Sequence, residues 1–176
     1  REVIKAAKIL RDEYQIHSEV GSVTSFKELA RDGMACDEYN RLHPLTETSQ
    51  ESWVSKQLRH TDGIVVSATD HMRAYSEQIR GYLPDNRPYV TLGTDGYGRS
   101  DTRGNLRSYF GVDAAHIVVA TLKKLADEGE VENRLVKDAI SSFELDTDRP
   151  VAWAPQEHPQ VQAVAEYHEY QAGEGN

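Results

Sequence analysis

The sequence predicts an α/β domain in which helices cover both faces of a mostly parallel sheet. Helical apolar spacing alternates with short β-rich runs over residues 2–143. One such run, GIVVSA (63–68), is continuously apolar, as is typical of a strand covered on both faces. Another, Tyr89–Leu92, leads into a glycine-rich polar loop and then a helix, an order typical of open α/β sheets. We therefore expect three layers, α/β/α.

Composition narrows the class of protein. The chain has 176 residues, of which 38% are hydrophobic and 28% are charged. Its formal net charge of −9 disfavours nucleic acid as a partner, because phosphate binding needs a basic face. No run approaches the roughly 20 apolar residues of a membrane span, so we expect no membrane partner. The single cysteine, Cys36, permits no internal disulfide, fits a cytoplasmic protein, and is interpreted as a structural thiol.

The first predicted helix covers residues 2–14. Its apolar face carries Val3, Ala7, Leu10 and Tyr14. Neither an initiator methionine nor an N-cap residue stands before it, and helices of α/β units normally follow a strand. We therefore expect a fragment of a longer chain that lacks the first strand of its domain.

The next elements are a strand and two helices. The segment Ile16–Ser25 favours β structure through its valines. A capping box, Ser25–Glu28, starts a helix at about Phe26, which Gly33 interrupts before a second piece runs to about residue 42. A second capping box, Thr48–Glu51, is expected to open a helix whose apolar side carries Trp53, Val54 and Leu58.

The middle of the chain alternates again. Thr69 or Asp70 is expected to cap a helix that Pro84 ends. The apolar stripe of this helix is Met72, Tyr75, Ile79 and Leu83. A strand at Tyr89–Leu92 and a helix with Leu106, Tyr109 and Phe110 follow the same alternation.

The last helices precede a change in composition. Asp113 is expected to cap a long helix, because Ile117 and Leu125 keep helical spacing and Gly129 suits its C-terminus. A final helix is expected from about Glu132 to residue 143. We predict a domain over residues 1–146 and a polar tail, extended or disordered, over residues 147–176.

The loop Gly93–Arg103 carries the best functional clue. It does not complete the dinucleotide fingerprint, because Asp101 stands where the third glycine is required. Asp95 and Asp101 would also repel a phosphate. We predict a rigid protein-binding loop, with capping of the next helix by Asp101 or Thr102 as the alternative. The candidate interface residues are Ser22, Thr24, Ser25, Asp95, Tyr97, Arg99, Ser100, Asp101 and Arg103.

No residue is predicted to be catalytic, cofactor-binding or metal-binding. The seven histidines form none of the usual metal-ligand spacings. His43 follows a predicted helix end, where an imidazole can bond terminal carbonyls. No nucleophile elbow or phosphate-binding loop is present.

Four segments carry a family resemblance. These are SVTSFKELARDG (22–33), LHPL (42–45), TLGTDGYGRSDTRGNLRSYF (91–110) and VDAAHIVVATLKKLADEGEV (112–131). Over residues 1–146 they resemble the C-terminal domain of the homodimeric bacterial pyruvate dehydrogenases, a transketolase-like family. The resemblance implies a transketolase C-terminal-like domain with a five-stranded mixed sheet, whose first strand would precede Arg1.

The resemblance also implies the activity of the whole enzyme. Such an enzyme decarboxylates pyruvate on thiamine diphosphate and magnesium and reductively acetylates lipoyl groups. The family's Gly-Asp-Gly…Asn cofactor motif is absent. In Thr94-Asp95-Gly96 a threonine takes the place of the first glycine, and no asparagine follows at the required spacing. The fragment alone is therefore expected to bind no cofactor and to be inactive.

The resemblance implies three partners for this domain. They are the rest of the same polypeptide, a second subunit of a homodimer, and the dihydrolipoyl acetyltransferase component. Two alternatives stay open: a protein-binding or assembly module, and the C-terminal domain of another transketolase-like 2-oxo acid dehydrogenase.

Overall fold

The structure, a computed structural model, describes residues 1–152. Its helices and strands follow one another as α1 Glu2–Tyr14, α2 Phe26–Leu42, α3 Trp53–Leu58, β1 Val65–Ala68, α4 Arg73–Glu77, β2 Tyr89–Leu92, α5 Arg103–Phe110, α6 Ala114–Asp127 and α7 Asn133–Ser142. Two short 3-10 turns, Arg80–Tyr82 and Pro84–Asn86, lie between α4 and β2. None of the helices among residues 1–152 combines the length and apolar character that a membrane span requires.

The sheet of the described residues consists of β1 and β2, which run parallel. Val65 pairs with Tyr89 and Ala68 with Leu92. The backbone N–H of Thr69 extends the ladder by donating to the carbonyl of Leu92 at 3.0 Å. Parallel strands need a crossover connection, and α4 with its two 3-10 turns supplies it.

Two apolar clusters lie on opposite faces of this sheet. On one face, α1, α6 and α7 meet around Leu10, Val118 and Leu122, and Leu92 packs against them. On the other face, residues of α2, α3 and the crossover pack around Tyr89. Successive side chains of a strand point to opposite faces, so Tyr89 and Leu92 serve different clusters. The predicted three-layer α/β/α class is confirmed.

Three predicted helix caps are confirmed. The Ser25 hydroxyl accepts from the backbone N–H of Glu28 at 3.2 Å and begins α2. The Asp113 carboxylate accepts from the backbone N–H of His116 at 3.0 Å and begins α6. Gly129 follows the end of α6 with a φ of 80°, the left-handed conformation that suits a residue after a helix.

The strand predicted at Ile16–Ser25 is wrong. These residues form no strand, and residues 17–24 are exposed, with Val20 and Val23 each 46% exposed. A β-favouring sequence becomes a strand only when its backbone pairs with a neighbour. Among the described residues, no backbone hydrogen bond joins this segment to β1 or β2. The expected strand before Arg1 lies outside the chain and stays a prediction.

The predicted interruption of α2 at Gly33 is also wrong. The helix is continuous, and the Tyr82 ring packs directly on the glycine. A Cβ at position 33 would lie 2.4 Å from Cγ of Tyr82. Gly33 therefore permits a close helix contact and does not break the helix.

The two capping predictions for α3 and α4 fail for one reason. Residues 48–51 do not open α3, because the backbone of Gln50 is bonded to Asn40, and Ser52 is the cap instead. Neither Thr69 nor Asp70 caps α4, which begins only at Arg73. In both places, contacts with residues distant in sequence determine where the helix begins.

The single helix predicted up to Pro84 is broken after α4. Of its expected apolar stripe, Ile79 and Leu83 are buried, whereas Met72 and Tyr75 are about half exposed. The predicted boundary at residue 146 stays a prediction. Arg149, beyond that boundary, still donates to the carbonyl of Ser108 at 2.6 Å at the end of α5. Most of the predicted tail, residues 153–176, lies outside the described residues.

Candidate interface at the loop between β2 and α5

The first residues of the loop are fastened to the segment that precedes α4. The backbone N–H of Thr94 donates to the carbonyl of His71 at 2.9 Å, and the Thr94 hydroxyl donates to the carbonyl of Asp70 at 2.8 Å. A Cβ on Gly93 would lie 2.6 Å from the His71 carbonyl oxygen and 2.7 Å from the Arg73 backbone nitrogen. Only glycine permits this approach, so the loop leaves β2 in a fixed direction.

Asp95 joins the loop to α4 by an ion pair. Its carboxylate lies 2.7 Å from Nε of Arg73 and also accepts from the Arg73 backbone N–H at 3.3 Å. That N–H is the first of α4 and has no partner within the helix, so Asp95 acts as its cap from 22 residues away. The aspartate is therefore used within the chain.

The middle of the loop projects into solvent. Tyr97 is 89% exposed, and Ser100 is also exposed. The Arg99 guanidinium lies over the Tyr109 ring, 4.3 Å from its centroid, a cation–π geometry. Exposed aromatic and arginine side chains are the residue types that dominate binding at protein interfaces.

The end of the loop caps α5. The Thr102 hydroxyl accepts from the backbone N–H of Asn105 at 3.3 Å. The Asp101 carboxylate accepts from the Asn105 side-chain amide at 2.8 Å. Arg103 is exposed at the first position of the helix. The alternative of helix capping is thus confirmed for Thr102, with Asp101 supporting it, and neither Tyr97 nor Arg99 is the cap.

The two predicted halves of the interface are not hydrogen-bonded to each other in the described part of the chain. Ser22 and Thr24 are exposed on the segment between α1 and α2, and Ser25 is occupied as the cap of α2. Among the described residues, no hydrogen bond joins these three to the loop between β2 and α5. The interface assignment of all nine residues stays a prediction.

The loop does not fit a diphosphate–magnesium site. Asp95, the only carboxylate in the Thr94–Gly96 stretch, is held by Arg73. The loop carries a second carboxylate, Asp101, and the negative charges of both aspartates disfavour a diphosphate. Among residues 1–152, no group of three histidine, cysteine or carboxylate side chains is placed to hold a metal ion.

Sequence reasoning missed two residues that shape the loop. Arg73 fixes Asp95, and Tyr109 supports Arg99. No local pattern signals the first pair, because it spans 22 residues. The second pair, Arg99 and Tyr109, joins the loop to the helix that follows it. Helical periodicity alone predicts that Tyr109 is a core residue.

Comparison with known proteins identifies the family. Residues 1–113 match the family described as the transketolase-like C-terminal domain. The chain belongs to this family. Several proteins that are similar to this chain in sequence share one name.

These relatives are named pyruvate dehydrogenase E1 component. The one from Escherichia coli is 48% identical over 149 residues, which cover 85% of this chain and 16% of the relative. Those from Cupriavidus necator and Pseudomonas aeruginosa are 47% and 45% identical, also over 85% of this chain and over 16% and 17% of the relatives. The chain therefore spans about one sixth of the length of these relatives, and the resemblance seen in the sequence is confirmed.

Proposed function

We propose that this transketolase-like domain belongs to a pyruvate dehydrogenase E1 component. The longer enzyme decarboxylates pyruvate, the end product of glycolysis, on thiamine diphosphate with magnesium. It then transfers the acetyl group reductively to a lipoyl group of the dihydrolipoyl acetyltransferase component in the cytoplasm. One observation carries the proposal: 48% identity over 85% of the chain to a protein of that name.

The proposed role of this domain is assembly. It contacts the rest of its own polypeptide and the second subunit of a homodimer. The geometry of the loop supports this role, because its two ends are fastened by Asp95 and Thr102 while Tyr97 is 89% exposed between them. A rigid loop loses little conformational entropy on binding, so an exposed aromatic on it is well suited to an interface.

The enzymatic part of the proposal is tested on the full-length protein. Decarboxylation is measured with pyruvate and with longer or branched 2-oxo acids, in the presence of thiamine diphosphate and magnesium. We expect the highest kcat/KM for pyruvate. A preference for another 2-oxo acid would contradict the proposal and favour a different 2-oxo acid dehydrogenase.

The absence of a cofactor site is tested on the 176-residue chain. We expect calorimetric titration with thiamine diphosphate and magnesium to show no saturable heat, because the loop does not fit a diphosphate. Micromolar binding by the chain alone would show that the cofactor site lies here, against the proposal.

The interface is tested with Tyr97→Ala and Arg99→Glu in the full-length protein. Both are expected to weaken dimerisation or domain packing, measured by sedimentation and by activity at low protein concentration. Asp101 is left unchanged because it supports the cap of α5. Lys137→Glu, a charge reversal at an exposed position of α7, is the control. Unchanged sedimentation and activity in both loop variants would contradict the interface and leave capping of α5 as the role of the loop.

A further inference from the structure

Two leucine side chains are strongly exposed where α2 ends and the connection to α3, residues 43–52, begins. Leu45 is 96% exposed, and Leu42, the last residue of α2, is 68% exposed. Single exposed apolar residues are common on proteins, so exposure alone indicates nothing. The structure around these two leucines is what distinguishes them.

The turn that presents Leu45 is fixed on its α2 side. The His43 imidazole stacks on the Tyr39 ring, with centroids 4.1 Å apart and an interplanar angle of 15°. Its Nδ1 lies 2.8 Å from the Tyr39 carbonyl oxygen. The backbone N–H and the hydroxyl of Thr46 both donate to the His43 carbonyl, at 3.1 and 2.9 Å. Pro44 and Leu45 are enclosed by these bonds, so their backbone is held.

The far side of the connection is fastened to the same helix. The Asn40 side-chain amide donates to the Gln50 carbonyl at 2.9 Å and its oxygen accepts from the Gln50 backbone N–H at 2.7 Å. The backbone N–H of Trp53 then donates to the Asp32 carboxylate at 2.5 Å. Ordering a surface connection at both ends while leaving Leu45 in water is the arrangement of a preorganised binding surface.

Building on the proposed function, we infer that Leu42 and Leu45 form a docking surface for another domain of the same polypeptide. Arg41 and Glu47, which lie close to the leucines in sequence, are exposed charged residues of the kind found at the polar rim of an interface. The surface would be buried in the longer protein and exposed in the 176-residue chain.

The size of the surface selects this occupant over a second copy. Interfaces between independent chains use about 20–30 residues a side, whereas this connection and its helix end provide about ten. A tethered domain needs a smaller contact, because the covalent link raises its effective concentration. The relatives contain that tethered chain, since this one covers only 16% of the Escherichia coli protein.

Accessibility of position 45 in the full-length protein tests the inference. Leu45→Cys and Thr48→Cys are labelled with a maleimide, and the rates are measured on the corresponding peptides by mass spectrometry. Thr48 is an exposed neighbour whose side chain makes no hydrogen bond among the described residues, so it is the matched control. We expect Cys labelling to be at least about tenfold slower at position 45, because a buried thiol reacts only on local opening. Equal rates would overturn the inference.

The identity of the occupant is tested by dilution. Protection of position 45 that persists when the full-length protein is diluted to monomers supports a tethered domain. Protection that is lost on dilution would show that a second copy covers the surface, against the inference. Leu45→Asp is expected to increase hydrogen exchange over residues 43–52 in the full-length protein, whereas Thr48→Asp leaves it unchanged. An equal effect of the two aspartates would also overturn the inference.

The outcomes separate this inference from the proposed function. Pyruvate decarboxylation by the unmodified full-length protein tests the function, and labelling at position 45 tests the docking surface. A protein that protects position 45 but prefers another 2-oxo acid would retain the docking surface and lose the functional proposal. A pyruvate-specific enzyme in which position 45 is labelled as fast as position 48 would retain the functional proposal and lose the docking surface.

Discussion

The carboxylate of Asp95 lies 2.7 Å from Nε of Arg73 and connects the loop after β2 with the first turn of α4. The same carboxylate accepts from the backbone N–H of Arg73 at 3.3 Å. An acidic loop residue that could have faced a partner is therefore part of the internal structure. The exposed part of the loop begins after Asp95 and includes Tyr97.

Asp95→Ala is expected to lower the free energy of unfolding by about 1–2 kcal/mol. Most of this loss comes from the cap of α4, because removing a side-chain cap costs about 1 kcal/mol. The ion pair adds little, since the Arg73 side chain is 42% exposed and water screens the charges. Urea denaturation of the chain measures the difference. Ser100→Ala, in the exposed part of the same loop, should change stability by no more than about 0.5 kcal/mol.

Gly93→Ala and Gly98→Ala are expected to differ sharply, although both lie in the same loop. At position 93 the added Cβ would lie 2.6 Å from a backbone carbonyl oxygen, which cannot move without displacing the start of α4. At position 98 nothing lies within 4 Å. We expect a loss of about 1–3 kcal/mol for the first and little change for the second. Comparable urea midpoints for the two variants would show that the loop does not depend on the contact between Gly93 and residues 71–73.

Gly33→Ala is expected to destabilise the chain, opposite to the usual effect in a helix. Alanine is normally favoured over glycine by about 1 kcal/mol in a helix interior. Here the Cβ would lie 2.4 Å from Cγ of Tyr82, and overpacking of this kind costs about 1–3 kcal/mol. Gly104→Ala, in α5 with open space around it, should instead stabilise. Thermal unfolding measures both signs, and a stabilising Gly33→Ala would contradict the packing of α2 on Tyr82.

Glu77 is expected to make stability depend on acid pH. The hydrogen bonds from Arg80 lower the pKa of Glu77 below its ordinary value of 4.5, against the opposing effect of burial, and the Thr91 hydroxyl also donates to it. A lowered folded-state pKa gives stability that is present above 4.5 and is lost as the pH falls through the folded pKa. Glu77→Gln should therefore lose less stability than the parent between neutral and acid pH.

Urea midpoints across that pH range measure the Glu77 contribution. Glu130→Gln, which removes one negative charge from an exposed position, is the control. If Glu77→Gln and the parent lost stability in parallel, the contacts of Glu77 with Arg80 and Thr91 would contribute nothing to folding.

Local sequence determined the features whose partners are close along the chain. Ser25, Thr102 and Asp113 each accept from the backbone N–H three residues ahead, so these caps follow from residue type and spacing. The apolar runs that became β1 and β2, and the place of the loop after β2, follow from periodicity. Segments shared with the pyruvate dehydrogenases also identified the family, because sequence segments can be compared without any knowledge of contacts.

Tertiary structure alone decided the features whose partners are distant. The segment Ile16–Ser25 has a β-favouring sequence but no paired neighbour among the described residues, so it forms no strand. Gly33 sits in a continuous helix because Tyr82 packs on it, and Asp95 is occupied because Arg73 lies beside it. Propensities and caps act within one turn of chain, whereas close packing and ion pairs join residues that only the complete fold brings together. For that reason the sequence determined where the loop after β2 lies, and the fold decided which of its side chains are exposed.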